Sequence, residues 1–183
     1  KIIKKILKEK YTIIIPTYNF KFPENKVAGN SVQFITSGYL NKYLVKKFKF
    51  KRTNKPMYNY AVIGDEAKKI LKLKQKTAWG GDSVIAYLAN HNTIGLGINI
   101  DIKDFGWVVI HAAEEKLKVP YRYYKTFIGK NIDNNQKVSE IMFVRKLDKN
   151  LTTDSSNLYK KLKPKIKIIK YNSHKIYLVN LIP

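Results

Sequence analysis

Residues 60–128 show the most regular pattern in this chain, and that pattern limits the folds it can adopt. The stretch AKKILKLKQK fits either a short helix or a strand, and its alternation of apolar residues with lysines favours a strand from Ile70 onward. Gly80 and Gly81 favour a tight turn, and the next apolar run, SVIAYLA, is typical of a strand. The polar residues Asn90 to Thr93 favour a second turn before the run IGLGINI, so these segments predict a hairpin.

After this predicted hairpin, the apolar residues recur at the spacing that is typical of a helix. Apolar residues from Phe105 to Leu117 recur at helical spacing, and Asp104 is placed to cap the helix. Pro120 disfavours helical geometry in Val119, so the helix should end before it. Two further strands, YRYYKTFI and SEIMFVRKL, are predicted around the polar turn GKNIDNNQK. The predicted fold class is therefore α+β.

Basic segments flank this central part, which is predicted to be one domain over 59–150. Residues 1–58 are predicted to be an irregular N-terminal extension, in which VKKFKFKR indicates a strand with one apolar and one cationic side. The first residues, KIIKKILKEKYTIII, have helical spacing, which fits a targeting peptide but favours an ordered tail on an anionic surface. Residues 151–183 are predicted to be a basic C-terminal arm.

The charge of the chain points to a negatively charged partner. Thirty-six Lys and Arg residues oppose 13 Asp and Glu residues, which gives a formal net charge of +23. Hydrophobic residues make up 44% of the chain, so it can bury a core and is not a disordered polyelectrolyte. The absence of Cys excludes disulfides, thiolate zinc sites and cysteine nucleophiles, and no apolar run approaches the roughly 20 residues of a membrane span.

Three stripes of lysine alternate with apolar residues and therefore predict contact with nucleic-acid phosphates. Lysine bonds phosphate as a point charge and recognises no base sequence. Trp79 stands beside the glycine turn, where base stacking and an ordinary structural role are both open. The candidate RNA-binding residues are Lys47, Lys49, Lys51, Arg52, Lys72, Lys74, Lys76, Trp79, Gly80, Gly81, Asn90, His91, Asn92, Lys163, Lys165 and Lys167.

Support for catalysis is thin in the sequence. His91-Asn92-Thr93 matches one of the two His-x-Thr motifs that some phosphoesterases use, but the second motif is absent. A histidine in a turn is usually there only as a polar residue. His111 on the predicted helix is more simply explained as a satisfied or solvent-facing side chain, and Glu66 as the acidic start of a helix. The sequence therefore predicts no enzyme, no catalytic residue, no metal site, no cofactor and no small-molecule substrate.

The order of these motifs resembles the N-terminal domain of small-subunit ribosomal protein five. The matching segments are KLKQKTAW, Gly80-Gly81, SVIAYLA, the polar turn, IGLGIN and the helix VIHAAEEKLK, over residues 66–147. The resemblance implies a β-β-β-α domain like those that bind double-stranded RNA, with basic N- and C-terminal extensions. The third glycine of the family's strand motif is Asn99 here, and the family's C-terminal domain is not recognisable after Asn150.

A second resemblance is to large-subunit ribosomal protein sixteen, through GNSVQFITSGYL and AAEEKLKVP. The preferred function is a structural constituent of the ribosome that binds ribosomal RNA and neighbouring ribosomal proteins. Its expected place is the small subunit of a mitochondrial ribosome, in the matrix. The alternatives are a large-subunit ribosomal protein, a free-standing RNA-binding module and a nuclease.

Overall fold

The computed structural model describes residues 11–100, 108–147 and 156–180. Three predictions fall outside these ranges: the helical start of the chain, the cap at Asp104 with the beginning of its helix, and the linker after Asn150. In the described ranges no helix is both long and apolar enough to cross a membrane.

The first sheet joins the beginning of the described chain to the segment around residue 60. Its strands are β1 (Ile13–Pro16), β3 (Lys51–Arg52) and β4 (Tyr60–Ile63), antiparallel in the order β1-β4-β3. Three of the four residues of β4 are buried, as expected for a central strand.

The segment between β1 and β4 is ordered rather than an irregular extension. It contains α1 (Phe22–Asn25), β2 (Val27–Ala28), a 3-10 turn (Val32–Phe34) and α2 (Tyr39–Lys47). The strand predicted over VKKFKFKR is therefore wrong for its first half. Helix α2 runs to Lys47 before Phe48 turns to extended geometry, so the alternation of Phe and Lys covers a helix end and only a two-residue strand.

Helices also replace two predicted strands in the middle of the chain. Helix α3 (Ala67–Leu71) forms where a strand was expected from Ile70, and α4 (Val84–Ala89) forms from SVIAYLA. Ser83 caps α4, because its hydroxyl accepts a hydrogen bond from the Ala86 backbone N–H at 3.1 Å. The first three residues of α4 are all buried, a pattern without the alternation of a half-exposed strand.

The predicted strand IGLGINI is confirmed as β5 (Ile94–Ile98), but the predicted hairpin partner is wrong. Strand β5 pairs with β9 (His174–Asn180), which in turn pairs with β8 (Ile166–Tyr171), in the antiparallel order β5-β9-β8. Helix α6 (Ser156–Leu162) and a 3-10 turn precede β8. SVIAYLA is helical and cannot supply the ladder, so β5 pairs with a strand distant in sequence.

The second half of the predicted pattern is confirmed. Helix α5 (Val109–Lys116) ends before Pro120, and β6 (Arg122–Asn131) and β7 (Gln136–Arg145) form a ten-residue antiparallel hairpin. The short strand β2 runs parallel to β6, so the order in this sheet is β2-β6-β7.

The described residues thus form three small three-stranded sheets in an α+β arrangement, and the predicted β-β-β-α unit of double-stranded-RNA-binding domains is wrong. The main core lies between the first sheet, α4 and the β6-β7 hairpin. Its fully buried side chains include Phe22, Tyr60, Ile70 and Ile85. Each such side chain contributes roughly 1.5–3 kcal/mol on leaving water. The segment around Trp79 and one face of α5 meet at the edge of this core.

Candidate active site

Helix α5 and the start of β6 bring a histidine, a carboxylate and a guanidinium together. Because His111 and Glu114 are three residues apart on a helix, they lie on the same face. The Nδ1 atom of His111 lies 2.6 Å from Glu114 Oε2, and Arg122 Nη2 lies 2.9 Å from the same oxygen. Tyr121 donates its hydroxyl to Glu114 Oε1 at 2.9 Å. The carboxylate is therefore held on both of its oxygens.

The contacts of His111 indicate which ring nitrogen carries the proton. Arg122 Nη2 also lies 3.2 Å from Nδ1, but a guanidinium only donates and Glu114 only accepts when ionised. The shorter contact, to Glu114, is best satisfied by an Nδ1–H group, with Arg122 bound to the shared carboxylate. The lone pair of a neutral His111 is then on Nε2.

Burial lowers the pKa of His111, and the charge of Arg122 lowers it further, against the opposing effect of Glu114. Burial alone would raise the pKa of Glu114, but its bonds to His111 and Tyr121 and the charge of Arg122 outweigh this and lower it. The cluster therefore combines a neutral imidazole with an ionised carboxylate at neutral pH.

An aromatic wall covers this cluster. The ring of Trp79 lies 4.5 Å from the His111 ring and 5.4 Å from the Tyr58 ring, centroid to centroid. The Arg122 guanidinium carbon lies 5.4 Å from the Trp79 centroid, within cation–π range. Trp79 is only 3% exposed, so this ring, for which base stacking and a structural role were both open, is part of the core.

Gly80 lies in the predicted turn and has a local structural role there, while its contact with RNA stays a prediction. Thr77 donates its hydroxyl to Glu115 Oε1 at 2.6 Å and accepts the Gly80 N–H at 2.9 Å. A Cβ atom at Gly80 would lie 2.5 Å from the Thr77 hydroxyl oxygen, so a side chain would disrupt this turn. Gly81, in contrast, faces open space within 4 Å.

A third buried carboxylate fixes the loop beside Trp79. Glu140 on β7 is 1% exposed and accepts the backbone N–H of Met57 at 2.7 Å and that of Tyr58 at 3.2 Å. Burial raises the pKa of Glu140, although these two bonds and the charge of Lys55 oppose the rise. Glu140 therefore holds Tyr58 in place against Trp79.

Three buried polar atoms of the cluster have no hydrogen-bond partner among the described residues. They are the indole Nε1 of Trp79, the Nε of Arg122 and the Oε2 of Glu115. Buried polar groups are nearly always satisfied in folded proteins. Two unpaired N–H donors and one unpaired carboxylate oxygen are therefore consistent with a site that binds a polar ligand.

Most of the candidate RNA-binding residues lie away from this cluster, and only Trp79, Gly80 and Gly81 are in its segment. Asn90 caps α4 through the Ala86 carbonyl, His91 stacks on Tyr87 at 3.8 Å, and Arg52 donates to the Asn30 carbonyl. The exposed members of the set are Lys47, Lys49, Lys51, Lys72, Lys74, Lys76, Gly81, Asn90, His91, Asn92, Lys163, Lys165 and Lys167. Contact of these residues with RNA stays a prediction.

Sequence reasoning missed His111, Glu114 and Arg122 as functional candidates. The signal was present, since a His-x-x-Glu spacing on a predicted helix places both side chains on one face. The part of the chain that the structure describes contains no cluster of His, Asp and Glu that could hold a metal ion.

Comparison with known proteins gives a family match over nearly the whole chain. The family model described as aminoglycoside 3-N-acetyltransferase matches residues 4–181. No curated protein sequence matches the chain.

Solved structures share the fold at low sequence identity. The YokD protein from Bacillus subtilis has a TM-score of 0.71 at 18% identity, over 98% of this chain and 74% of its own. The apoenzyme of aminoglycoside acetyltransferase AAC(3)-IVa has a TM-score of 0.64 at 16% identity, over 93% of this chain and 64% of its own. AAC-VIa bound to sisomicin has a TM-score of 0.62 at 16% identity, over 79% of this chain and 57% of its own. This chain therefore spans between 57% and 74% of these three proteins.

These matches overturn the two ribosomal resemblances. The family model describes an acetyltransferase, so the predicted ribosomal protein, in either subunit, is wrong, as are the alternatives of RNA-binding module and nuclease. The predicted absence of enzymatic activity is also wrong. The predicted partners were ribosomal RNA and ribosomal proteins, and no small-molecule substrate was expected. Both expectations conflict with structural neighbours that were solved with sisomicin and apramycin. The predicted mitochondrial location stays a prediction.

Proposed function

Because this chain belongs to the aminoglycoside 3-N-acetyltransferase family, we propose that it transfers an acetyl group from a coenzyme A thioester to a primary amine of a small molecule. The observation that carries this proposal is the pair of His111 and Glu114 beside Trp79. Among proteins of the same fold, AAC-VIa was solved with sisomicin and AAC-IIIb with coenzyme A.

His111 is the proposed general base. Acetyl transfer needs a neutral amine as nucleophile, and amines are mostly protonated at neutral pH. Because Glu114 holds the Nδ1–H group, the free Nε2 can take a proton from the amine as its nitrogen attacks the thioester carbonyl. A C–N bond then forms as the C–S bond breaks, and the proton held on His111 Nε2 would pass to the leaving sulfur, so that coenzyme A would be released as its thiol.

Glu114 and Arg122 support this base without contacting the substrate. Glu114 fixes the tautomer and stabilises the imidazolium that forms when Nε2 accepts the proton. Arg122 donates to the Phe143 carbonyl at 2.9 Å as well as to Glu114, so the carboxylate is anchored to strand β7. Both are positioning residues.

The coenzyme A donor fits the unpaired atoms of this cluster. Its thioester carbonyl and phosphate oxygens accept hydrogen bonds, and Trp79 Nε1 and Arg122 Nε are N–H donors without a partner among the described residues. When bound, the coenzyme supplies the activated acetyl group. The chain's own residues hold the amine and take its proton.

Release of the coenzyme A thiol is a direct test of this proposal. The full chain is mixed with acetyl-coenzyme A and a primary amine, and free thiol is followed with a colorimetric reagent. The assay has no background from the protein, since the chain contains no Cys. We expect His111→Gln to lower the rate at least about 100-fold, the size of general-base catalysis.

His174→Gln is the matched control, since His174 is exposed on the separate β5-β9-β8 sheet. We expect it to keep the activity of the unaltered chain. Equal thiol release by the unaltered chain and the His111→Gln variant would contradict the role of His111. Absence of thiol release with every amine tested would contradict acetyl transfer itself.

A further inference from the structure

Trp79 lies in the middle of a row of rings that ends at the proposed base. The Tyr58 and Trp79 rings are 5.4 Å apart between centroids and nearly perpendicular, at 81°. The His111 ring lies 4.5 Å from the Trp79 ring and is tilted against it by 40°. The Arg122 guanidinium carbon lies 5.4 Å from the same indole ring. Trp79 therefore contacts both the imidazole that takes the proton and the cation beside it.

The segment that carries Trp79 is bonded to the elements on both sides of it. The Ala78 backbone N–H donates to a carbonyl of strand β7 at 2.8 Å. The Thr77 hydroxyl donates to Glu115 Oε1 at 2.6 Å, and Glu115 lies on α5, four residues after His111. The Trp79 backbone is thus tied directly to the helix that carries the base.

Tyr58 is fixed in turn by a buried carboxylate. Glu140 on β7 accepts the Tyr58 backbone N–H at 3.2 Å, and only 1% of the surface of Glu140 is exposed. The Tyr58 ring therefore limits how far the Trp79 ring can move away from His111. Such support by neighbouring side chains holds a reactive group in one geometry.

The bond to Glu114 alone does not fix the orientation of the His111 ring. The final torsion of a histidine side chain has only broad preferences. The contact between Nδ1 and Glu114 Oε2, at 2.6 Å, holds one atom of the ring, about which the rest of the ring can still swing. A flat ring packed against the imidazole removes this freedom and so sets the direction of Nε2.

We propose that Trp79, held by Tyr58, is a positioning residue for acetyl transfer, because its ring fixes the plane of the His111 imidazole and thereby the direction of the Nε2 lone pair. The inference rests on the acetyl transfer proposed above for the use made of that lone pair. The orientation of the imidazole is measured without any acetyl transfer. A role of Trp79 as core packing only is the alternative, and it predicts a loss of stability without an effect specific to the base.

Two substitutions of Trp79 separate these roles. Trp79→Phe keeps an aromatic ring, whereas Trp79→Leu keeps an apolar side chain without a ring. Both variants lack the indole N–H group, so a difference between them reports on the ring alone. Tyr39→Leu on α2 is the matched control, because Tyr39 is 82% exposed. Urea unfolding shows which variants are folded.

Steady-state thiol release with glucosamine and sisomicin as amines, at saturating acetyl-coenzyme A, measures the effect on the reaction. We expect Trp79→Leu to lower kcat at least about tenfold, since a misplaced reacting group slows the chemical step. The KM for the amine should stay nearly unchanged, because the ring acts on the base and not on binding. Trp79→Phe should keep most of kcat, and Tyr39→Leu all of it. An equal kcat in the Trp79→Phe and Trp79→Leu chains would overturn the inference.

Nuclear magnetic resonance of the imidazole nitrogens measures the orientation directly. The chain has three histidines, and the His111→Gln variant identifies the signals of His111. At a pH well above the ordinary histidine pKa of about 6.5, we expect two widely separated nitrogen signals in the unaltered chain, as one tautomer gives. Trp79→Leu should bring them closer, because a swinging ring loses the Glu114 bond part of the time and exchanges its proton between both nitrogens. Trp79→Phe should keep the separation.

Identical nitrogen signals in the unaltered chain and a folded Trp79→Leu chain would overturn the inference. If Trp79→Leu does not fold, Tyr58→Leu decides, since Tyr58 is only half-buried. That substitution should bring the two signals closer by releasing the Trp79 ring, and unchanged signals would overturn the inference.

The two measurements distinguish this inference from acetyl transfer itself. The expected change in the nitrogen signals without thiol release from any chain would leave the orientation of His111 by Trp79 standing and contradict acetyl transfer. Thiol release by the unaltered chain, with signals and kcat that are the same in Trp79→Leu, would support acetyl transfer and overturn the role of Trp79.

Discussion

Gly80 stands where a single methyl group would collide with the oxygens that organise the site. The Cβ atom would lie 2.5 Å from Thr77 Oγ1 and 3.1 Å from Glu115 Oε1. We expect Gly80→Ala to lower the free energy of unfolding by about 1–3 kcal/mol, as overpacking does. Gly81→Ala is the matched control, because a Cβ there meets nothing within 4 Å. Urea unfolding measures both, and an equal effect of the two substitutions would contradict the close packing at Gly80.

The lowered pKa of His111 predicts a loss of stability in mild acid. In the unfolded chain the histidine takes up a proton near its ordinary pKa of about 6.5, but burial in the folded protein delays protonation to lower pH. Between these two pKa values the unfolded state binds more protons, so stability falls as the pH decreases below about 6.5. The lowered pKa of Glu114 acts in the same direction at still lower pH.

The pH dependence of the free energy of unfolding measures this effect in urea titrations at several pH values. Replacing His111 with Gln should flatten the slope just below pH 6.5, since Gln does not titrate. Asn92→Gln, an exposed loop substitution that changes no titrating group, is the control and should leave the slope unchanged. A slope that is as steep in the His111→Gln protein as in the unaltered one would contradict the buried neutral histidine.

Strand β7 contributes to the site through Glu140, which satisfies two backbone N–H groups of the loop that carries Tyr58. Glu140→Ala would leave these N–H groups buried without a partner. We expect it to lower the free energy of unfolding by about 2–3 kcal/mol, the cost of unsatisfied buried groups. Ser139→Ala, on the exposed face of the same strand, should have little effect. Equal stability of the two variants in urea unfolding would show that Glu140 does not hold the loop.

Elements with an unambiguous period were predictable from the sequence, and short apolar runs were not. The hairpin of β6 and β7 and the end of α5 before Pro120 followed from alternation and from the restriction that proline imposes. SVIAYLA is too short for its period to separate a helix from a strand. Its N-terminal Ser83 was the missed signal, since a capping serine favours a helix.

The candidate site could be predicted only in part from the sequence, because only some of its residues are close together along the chain. His111 and Glu114 are close in sequence, so helical spacing could have paired them. Trp79 and Glu140 reach the cluster through tertiary contacts, and the segment that carries Trp79 bonds to β7 through the Ala78 N–H and the Ile141 carbonyl at 2.8 Å. Such pairings leave no mark in the local sequence pattern.

Charge was the whole-molecule property that misled the interpretation of function. A net charge of +23 favours anionic partners, but it does not specify their size or chemistry. The order of a glycine turn, a glycine-rich strand and a helix is likewise shared by unrelated folds, so it could not identify a family. The family match over residues 4–181 places the chain in the aminoglycoside 3-N-acetyltransferase family instead.

Mass spectrometry of the amine after incubation with acetyl-coenzyme A tests acetyl transfer by this chain and the role of His111 in it. The full chain, its His111→Gln variant and its His174→Gln variant are each incubated with glucosamine or sisomicin. We expect an amine that gains one acetyl group with the unaltered chain and with His174→Gln, and little product with His111→Gln. Amines that all remain unmodified in the presence of the unaltered, folded chain would contradict it.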